Sequence, residues 1–258
     1  MSLLKVSGLT KNFGGLCAVS NVNMEINEKE LIGLIGPNGA GKTTLFNLLT
    51  GVYEPSEESI QLNVDGAMKE IGGLKPYIIT RLGLARTFQN IRLFKELSVL
   101  DNVKIAMHKN IHYGSLQAIF RTPAFYREEA LVKERAKDLL KVVNLYEKRN
   151  EKAKNLPYGE QRRLEIARAL ATEPKILFLD EPAAGMNPQE TADLTKLIHQ
   201  IKEQYNLTIV LIEHDMSLVM TICERIYVLD YGKCIANGIP EVIKQDKRVI
   251  KAYLGEDI

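Results

Sequence analysis

Three short segments carry residue types suited to phosphate chemistry. "GPNGAGKTT", Gly36 to Thr44, fits the pattern GxxxxGK[ST] and stands between an apolar run ending in glycine, "ELIGLIG", and a segment with helical spacing. Strand, glycine loop and helix in that order make a phosphate-binding loop: backbone N–H groups of Gly36, Pro37–Gly39, Ala40 and Gly41 wrap the phosphates, apart from the proline, which has none. Lys42 is expected to hold the β- and γ-phosphates, Thr43 to place its hydroxyl on Mg²⁺, and Thr44 to complete the loop. Further on, "KILFLDEP" sets two acids at the end of an apolar strand. Asp180 is then a candidate for holding Mg²⁺ and Glu181 for polarising an attacking water. "LTIVLIEHD" ends the next strand on His214, where a side chain can sense a γ-phosphate.

A fourth segment raises a different question. "NLPYGEQRRLEIARAL" is a glycine-containing turn that opens a helix, and the free N–H groups and dipole of such a start favour an anion. One chain therefore carries two anion-binding helix starts.

The elements that must position these residues follow from periodicity. Up to about Glu30, apolar stretches broken by Gly14-Gly15 predict antiparallel strands. "KTTLFNLLTG" predicts a helix stopped at Gly51. The stretch from Tyr53 to Arg86 suggests a strand at Ile60 to Val64 and a helix at Tyr77 to Leu82. From Lys95 to Thr172 the sequence is mostly helical, including the amphipathic "YREEALVKERAKDLLKVVNL". After Pro174, strands alternate with the helices "NPQETADLTKLIHQIKEQY" and "MSLVMTICERI", which implies βαβ units and a mostly parallel sheet. "RIYVLDYGKCIANG" predicts a hairpin turning at Asp230 to Lys233, and the tail from Pro240 is helical. The fold class expected is α/β, one domain in which residues 1–94 and 173–258 form the catalytic and antiparallel β parts and 95–172 an inserted helical lobe.

Composition narrows the function. Apolar residues make up 45% of the chain, enough for a full core in its 258 residues. A net charge of +2 lacks the footprint of a nucleic-acid binder, and the Arg162-Arg163 pair is expected to lie on a solvated helix face. Cys17, Cys223 and Cys234 show no CxxC spacing, so neither a disulfide framework nor zinc is expected and a cytosolic setting is. His108 and His112 have i,i+4 spacing but lack the glutamate of HExxH. "MSLLKVSGLTKNFGG" is no signal peptide, and no apolar run is long enough to span a bilayer, so any membrane role is peripheral.

Taken in order, these motifs resemble the ATP-binding cassette (ABC) family over essentially the whole chain. The resemblance adds three assignments: Phe13 matches the aromatic that stacks on adenine, Gln89 in "RTFQN" the glutamine that joins the Mg²⁺ site to the transmembrane partner, and "LPYGEQ" the signature LSGGQ. In that family two subunits pair head to tail, so Tyr158, Gly159 and Glu160 would face the γ-phosphate on the other subunit's phosphate loop. Departures are visible: Pro157 replaces Ser, Tyr158 the first Gly, and Asn187 in "AAGMNP" the usual Asp of the dimer-contact loop. Together with "EHDM", "RTFQNIRLF" and the closing "VIKAYLG", they are similar to the LivG-type ATP-binding subunits of branched-chain amino acid importers. What this implies is a Mg-ATP hydrolase peripheral to the cytoplasmic face of the membrane. Its partners would be permease subunits and a second ATPase, like or unlike itself, with a substrate-binding protein acting indirectly. Leu93, Phe94, Leu97 and Leu100 are either the lining of a groove for a permease helix or core positions. The rival implications are an ABC ATPase for another cargo, such as lipopolysaccharide export, or a soluble cassette protein outside transport.

Overall fold

The computed structural model describes residues 1–110 and 119–254. His112 and the glycine that ends "VIKAYLG" lie outside the described residues. Long stretches of alternating burial near the N-terminus produce β1 (Ser2–Phe13) and β2 (Leu16–Asn27), two twelve-residue strands on either side of the Gly14-Gly15 break. They pair antiparallel and are joined by β4 (Glu57–Val64) and β5 (Ala67–Glu70) in the order β2-β1-β4-β5. Inward residues such as Leu4, Leu9, Val22 and Ile26 are fully buried.

The second sheet is built around three strands with no polar face. β3 (Leu31–Ile35), β7 (Ile176–Asp180) and β8 (Thr208–Ile212) are buried at every position, as strands covered on both sides must be. They join β6 (Leu84–Arg86), β9 (Arg225–Asp230) and β10 (Lys233–Gly238) in the order β10-β9-β3-β8-β7-β6. All pairings are parallel except the β9–β10 hairpin. That hairpin turns at Tyr231 and Gly232, both at positive φ (42° and 76°), within the expected turn.

Helices close both faces. α1 (Lys42–Leu49) follows β3 directly and ends at Thr50 with Gly51 at φ 73°, the stop expected from sequence. Phe46 of α1 meets Phe178 of β7 edge-on, centroids 4.9 Å apart. This contact presses the phosphate-loop helix onto the strand that ends in Asp180. α2 (Pro76–Arg81) precedes β6, a strand too short for any period to reveal. α3 (Val99–Ala106), α4 (Pro123–Val142) and α5 (Tyr158–Leu170) pack on one another, and their apolar residues join those of β7 and β8 in one buried cluster. α4 starts before its amphipathic run because Thr122 caps it and Pro123 takes its first turn. α6 (Pro188–Tyr205) and α7 (Met216–Ile222) complete the βαβ units. α7 stops at Ile222, short of the expected "CERI", because Arg225 already pairs in β9. α8 (Pro240–Gln245) and α9 (Lys247–Leu254) close the described chain.

Because Phe178 is completely buried and edge-on to Phe46, Phe178→Ala is expected to lower stability by about 3–5 kcal/mol in urea unfolding. A loss below about 1 kcal/mol would show that this aromatic contact does not hold α1 to the sheet.

Candidate nucleotide site

β8 lies between β3 and β7, so the loops leaving all three open at one edge of the sheet. The phosphate loop leaves β3 with Gly36 at φ 152°, Gly39 at 80° and Gly41 at 97°. At Gly36 a side chain is excluded outright, since a Cβ would stand 2.1 Å from the Leu229 carbonyl oxygen. Pro37, Asn38, Gly39 and Ala40 line a hollow with Asp230 and Tyr231. Lys42 curls back over the loop and its Nζ donates to the carbonyls of Gly36 (2.7 Å) and Pro37 (2.9 Å). Burial lowers the pKa of Lys42, opposed by the negative charge of Glu181.

Thr43, Gln89 and Asp180 line one cavity of about 930 Å³, with Thr44 beside Thr43 at the start of α1. Asp180 is buried, and burial pushes its carboxyl up; Arg86, 3.0 Å away, pulls it down, and Glu181 adds to the rise. Glu181 has φ 47°, a left-handed conformation that a non-glycine residue adopts at a cost of about 1–3 kcal/mol. Both of its carboxylate oxygens are held by other loops: Gln89 Nε2 donates to Oε2 at 2.8 Å, and His214 Nε2 lies 2.6 Å from Oε1. Thus residues far apart in sequence converge on one carboxylate.

Phe13 stands at the exposed tip of the β1–β2 hairpin, edge-on to Tyr53 (5.3 Å) with Lys11 over its ring.

The family model described as "ABC transporter" matches residues 19–184, and one described as "Branched-chain amino acid ATP-binding cassette transporter" matches 233–258. The chain belongs to the ABC transporter family. It is 52% identical to the high-affinity branched-chain amino acid transport ATP-binding protein BraF of Pseudomonas aeruginosa, over 98% of both chains. Identity to LivG of Escherichia coli, named for the same transport, is 50% over 98% of both. The lipopolysaccharide export ATP-binding protein LptB of Escherichia coli is 34% identical over 100% of this chain and 99% of its own. A crystal structure of an ABC transporter's ATP-binding cassette in its ADP conformation superposes with a TM-score of 0.84 at 30% identity, over 99% and 100% of the two chains.

In this ABC cassette the start of α5 is tied to the Phe88–Gln89 segment by a buried network that the sequence does not reveal. Arg162 is expected on a solvated face; instead it is 1% exposed, because its guanidinium turns inward from α5. It donates to the carbonyls of Phe88 and Gln89, to the Tyr158 hydroxyl at 3.2 Å and to Glu165 at 3.0 Å. Glu165, whose pKa is raised by burial and lowered by Arg162, accepts from the backbone N–H of Phe88 and Arg92. Helical i,i+3 spacing of Arg162 and Glu165 is the one signal that could have suggested a pair. Arg163, by contrast, lies partly exposed beside Glu160.

The departures from the signature now have partners. Pro157 is the N-cap residue of α5 and offers no side-chain cap; Glu160 pairs with Lys148 at 2.7 Å. Gly159 packs so tightly on Glu190 that a Cβ would stand 2.9 Å from its Oε1. Asn187 accepts from the Glu190 N–H and Glu190 reaches back to the Asn187 N–H, a capping box that starts α6. The polar contacts of Tyr158–Glu160 among the described residues run to these neighbours, not to this chain's own phosphate loop.

Arg162→Met would leave Glu165 buried without its partner and is expected to cost about 3–5 kcal/mol, whereas Arg162→Met with Glu165→Leu should recover most of it. Thermal unfolding of the two variants decides this, and a double variant as unstable as the single would show that the loss comes from the donors Arg162 gives to the Phe88 and Gln89 carbonyls and not from an unpaired Glu165.

Proposed function

We propose that the protein is the ATP-hydrolysing subunit of an importer for branched-chain, hydrophobic amino acids. The observation that supports this reading best is Glu181, held by Gln89 and His214 beside the phosphate loop. Lys42 and the loop from Gly36 to Thr44 bind the phosphates of ATP, and Phe13 with the hairpin tip supplies the adenine face. The oxygen donors Thr43, Gln89 and Asp180 form the hard set that suits Mg²⁺. When bound, that ion neutralises charge on the phosphates. Glu181 takes the proton of the attacking water, Gln89 and His214 hold its carboxylate in place, and His214 then faces the γ-phosphate.

Residues 95–172 act as the helical lobe that carries the signature. Two ATPase subunits meet head to tail, and the backbone N–H groups at Tyr158, Gly159 and Glu160 of one close on the phosphates held by the other. A dimeric structure of a bacterial ABC transporter cassette, TM-score 0.76 at 25% identity over 92% of this chain and 99% of that one, supports the pairing. Since Pro157 has no hydroxyl, the grip there is mainly through backbone donors. ATP closes the dimer and hydrolysis releases it, which drives a permease between its two states. No described helix is long and apolar enough to cross a membrane. As an importer's ATPase, the subunit works at the cytoplasmic face through its permease, and a substrate-binding protein delivers the amino acid to that permease.

Phe94 and Leu97 remain exposed at 46% and 37%, whereas Leu100 is buried and Leu93 packs on the core. The first two are the surface offered to a permease helix. The greater identity to BraF and LivG than to LptB favours amino-acid import over lipopolysaccharide export.

Glu181→Gln should slow hydrolysis roughly 10²- to 10⁴-fold with ATP binding retained; near-normal turnover would remove Glu181 from the mechanism. The same variant, tagged and isolated from native membranes with Mg-ATP, is expected to bring down permease subunits and a second ATPase. Recovery of ribosomes or DNA-repair proteins instead would overturn the transport reading while leaving the ATPase in place.

A further inference from the structure

Arg86, the last residue of β6, reaches three separate elements with one planar group. Its Nη1 donates to Asn47 Oδ1 at 2.8 Å and Thr50 Oγ1 at 2.9 Å, both at the far end of α1. Its Nη2 donates to Asp180 Oδ2 at 3.0 Å, and its Nε to the Thr87 carbonyl at 3.2 Å. The side chain is only 10% exposed, so these bonds are shielded from water. Asn47 stands one helical turn after Thr43 and therefore on the same face of α1. Thr43, Asn47, Arg86 and Asp180 line the same cavity. A single guanidinium thus spans from the helix that carries the Thr43 hydroxyl to the strand end that carries Asp180.

The fork is itself held. Arg86 lies over the Phe88 ring at 4.6 Å, and Arg92 over the same ring at 4.0 Å. Both contacts restrict where the Arg86 plane can go, and Phe88 is fixed in turn by the bond from Arg162 to its carbonyl. Nothing in phosphate chemistry requires a cation at this place, because Lys42 already serves the phosphates. What the place requires is a rigid body that can satisfy acceptors in fixed directions, which a guanidinium does and an ammonium on a flexible stem does not.

We propose that Arg86 is a positioning residue for the metal-bearing side of the nucleotide site: it fixes α1 relative to Asp180, so that Thr43 and Asp180 meet one divalent cation together. This rests on the reading of Thr43 and Asp180 as residues that hold that cation. Partners of metal-holding side chains commonly govern affinity by orientation, with losses of about 10- to 100-fold when they are removed.

The test is Mn²⁺ binding to the ADP complex of the full-length protein, followed by electron paramagnetic resonance, with ADP affinity in EDTA measured alongside. Arg86→Met and Arg86→Lys should each weaken Mn²⁺ binding by about tenfold or more while ADP affinity without metal stays near wild type. Thr50→Val, which removes one acceptor of the fork and spares the salt bridge, should give a smaller loss in the same direction and guards against a failure of the arginine variants to fold. Asp180→Asn separates the two readings. If it binds Mn²⁺ as tightly as wild type, the metal assignment itself falls. If it binds weakly while the Arg86 variants bind normally, the assignment stands and the bracing role is overturned. Full recovery with Arg86→Lys would overturn it too, since charge alone would then suffice.

Discussion

The parallel register that β8 imposes on β3 and β7 is the constraint on which the candidate nucleotide site depends. Gly33 sits opposite Leu211, and Asp180 opposite Ile212, so the phosphate loop, the two acids and His214 emerge within a residue or two of one level. Every side chain of these strands is buried, which makes a slip of register costly on both faces at once. Gly33 tightens the arrangement further, since a Cβ there would stand 2.9 Å from Val219 of α7. The backbone bond from Glu181 N–H to the Ile212 carbonyl then carries the register one step past the end of β7. It is at this step that Glu181 turns to positive φ, and the turn aims its carboxylate across the sheet edge toward Gln89 and His214.

A second layer of order is polar and buried, and its energetics differ. Ion pairs such as Arg162–Glu165 and Arg86–Asp180 gain little net stability once desolvation is counted, and apolar replacements of similar shape often do as well. What they supply is direction: Arg162 fixes two carbonyls of the glutamine loop, and Arg86 fixes one oxygen of Asp180. A loop held only by apolar contacts would keep its place but not the orientation of its amide groups. The start of α5 and the Phe88–Gln89 segment are consequently joined through one guanidinium.

How much of this is legible in the sequence depends on how local the cause is. The phosphate loop is legible because its glycines, lysine and threonines act within nine consecutive positions between a recognisable strand and helix. Asp180, Glu181 and His214 are legible because fully apolar runs announce the strands that present them. β6 is not, because three residues carry no period, and Arg86 at its end has acceptors 36, 39 and 94 positions away. Arg162 misleads for a related reason. A pair of arginines on a helix is solvated by default, and only the distant carbonyls of Phe88 and Gln89 make burial of one of them affordable. The full length of β1 and β2 has no clear mark in the sequence, because Gly8 and polar residues interrupt the apolar pattern without ending the pairing, which continues through irregular register.

The departures from the family signature show how a segment can change its residues and keep its geometry. Replacing Ser by Pro157 removes a hydroxyl, yet the proline's fixed φ of −54° suits the residue that precedes a helix, and its missing N–H removes a donor that would otherwise need a partner there. Tyr158 brings bulk where glycine is usual; the ring goes beside Gly185 and the hydroxyl to Arg162, so the added side chain joins the network to the glutamine loop. Gly159 is the position without that latitude, because Glu190 occupies the space a Cβ needs, and Glu190 is committed to capping α6 with Asn187. An asparagine at 187 keeps the cap of an aspartate without its charge. The glycine and the residues around it are thus each held by a specific neighbour: Gly159 by Glu190, Asn187 by the cap it forms with Glu190, and Tyr158 by Arg162 and Gly185.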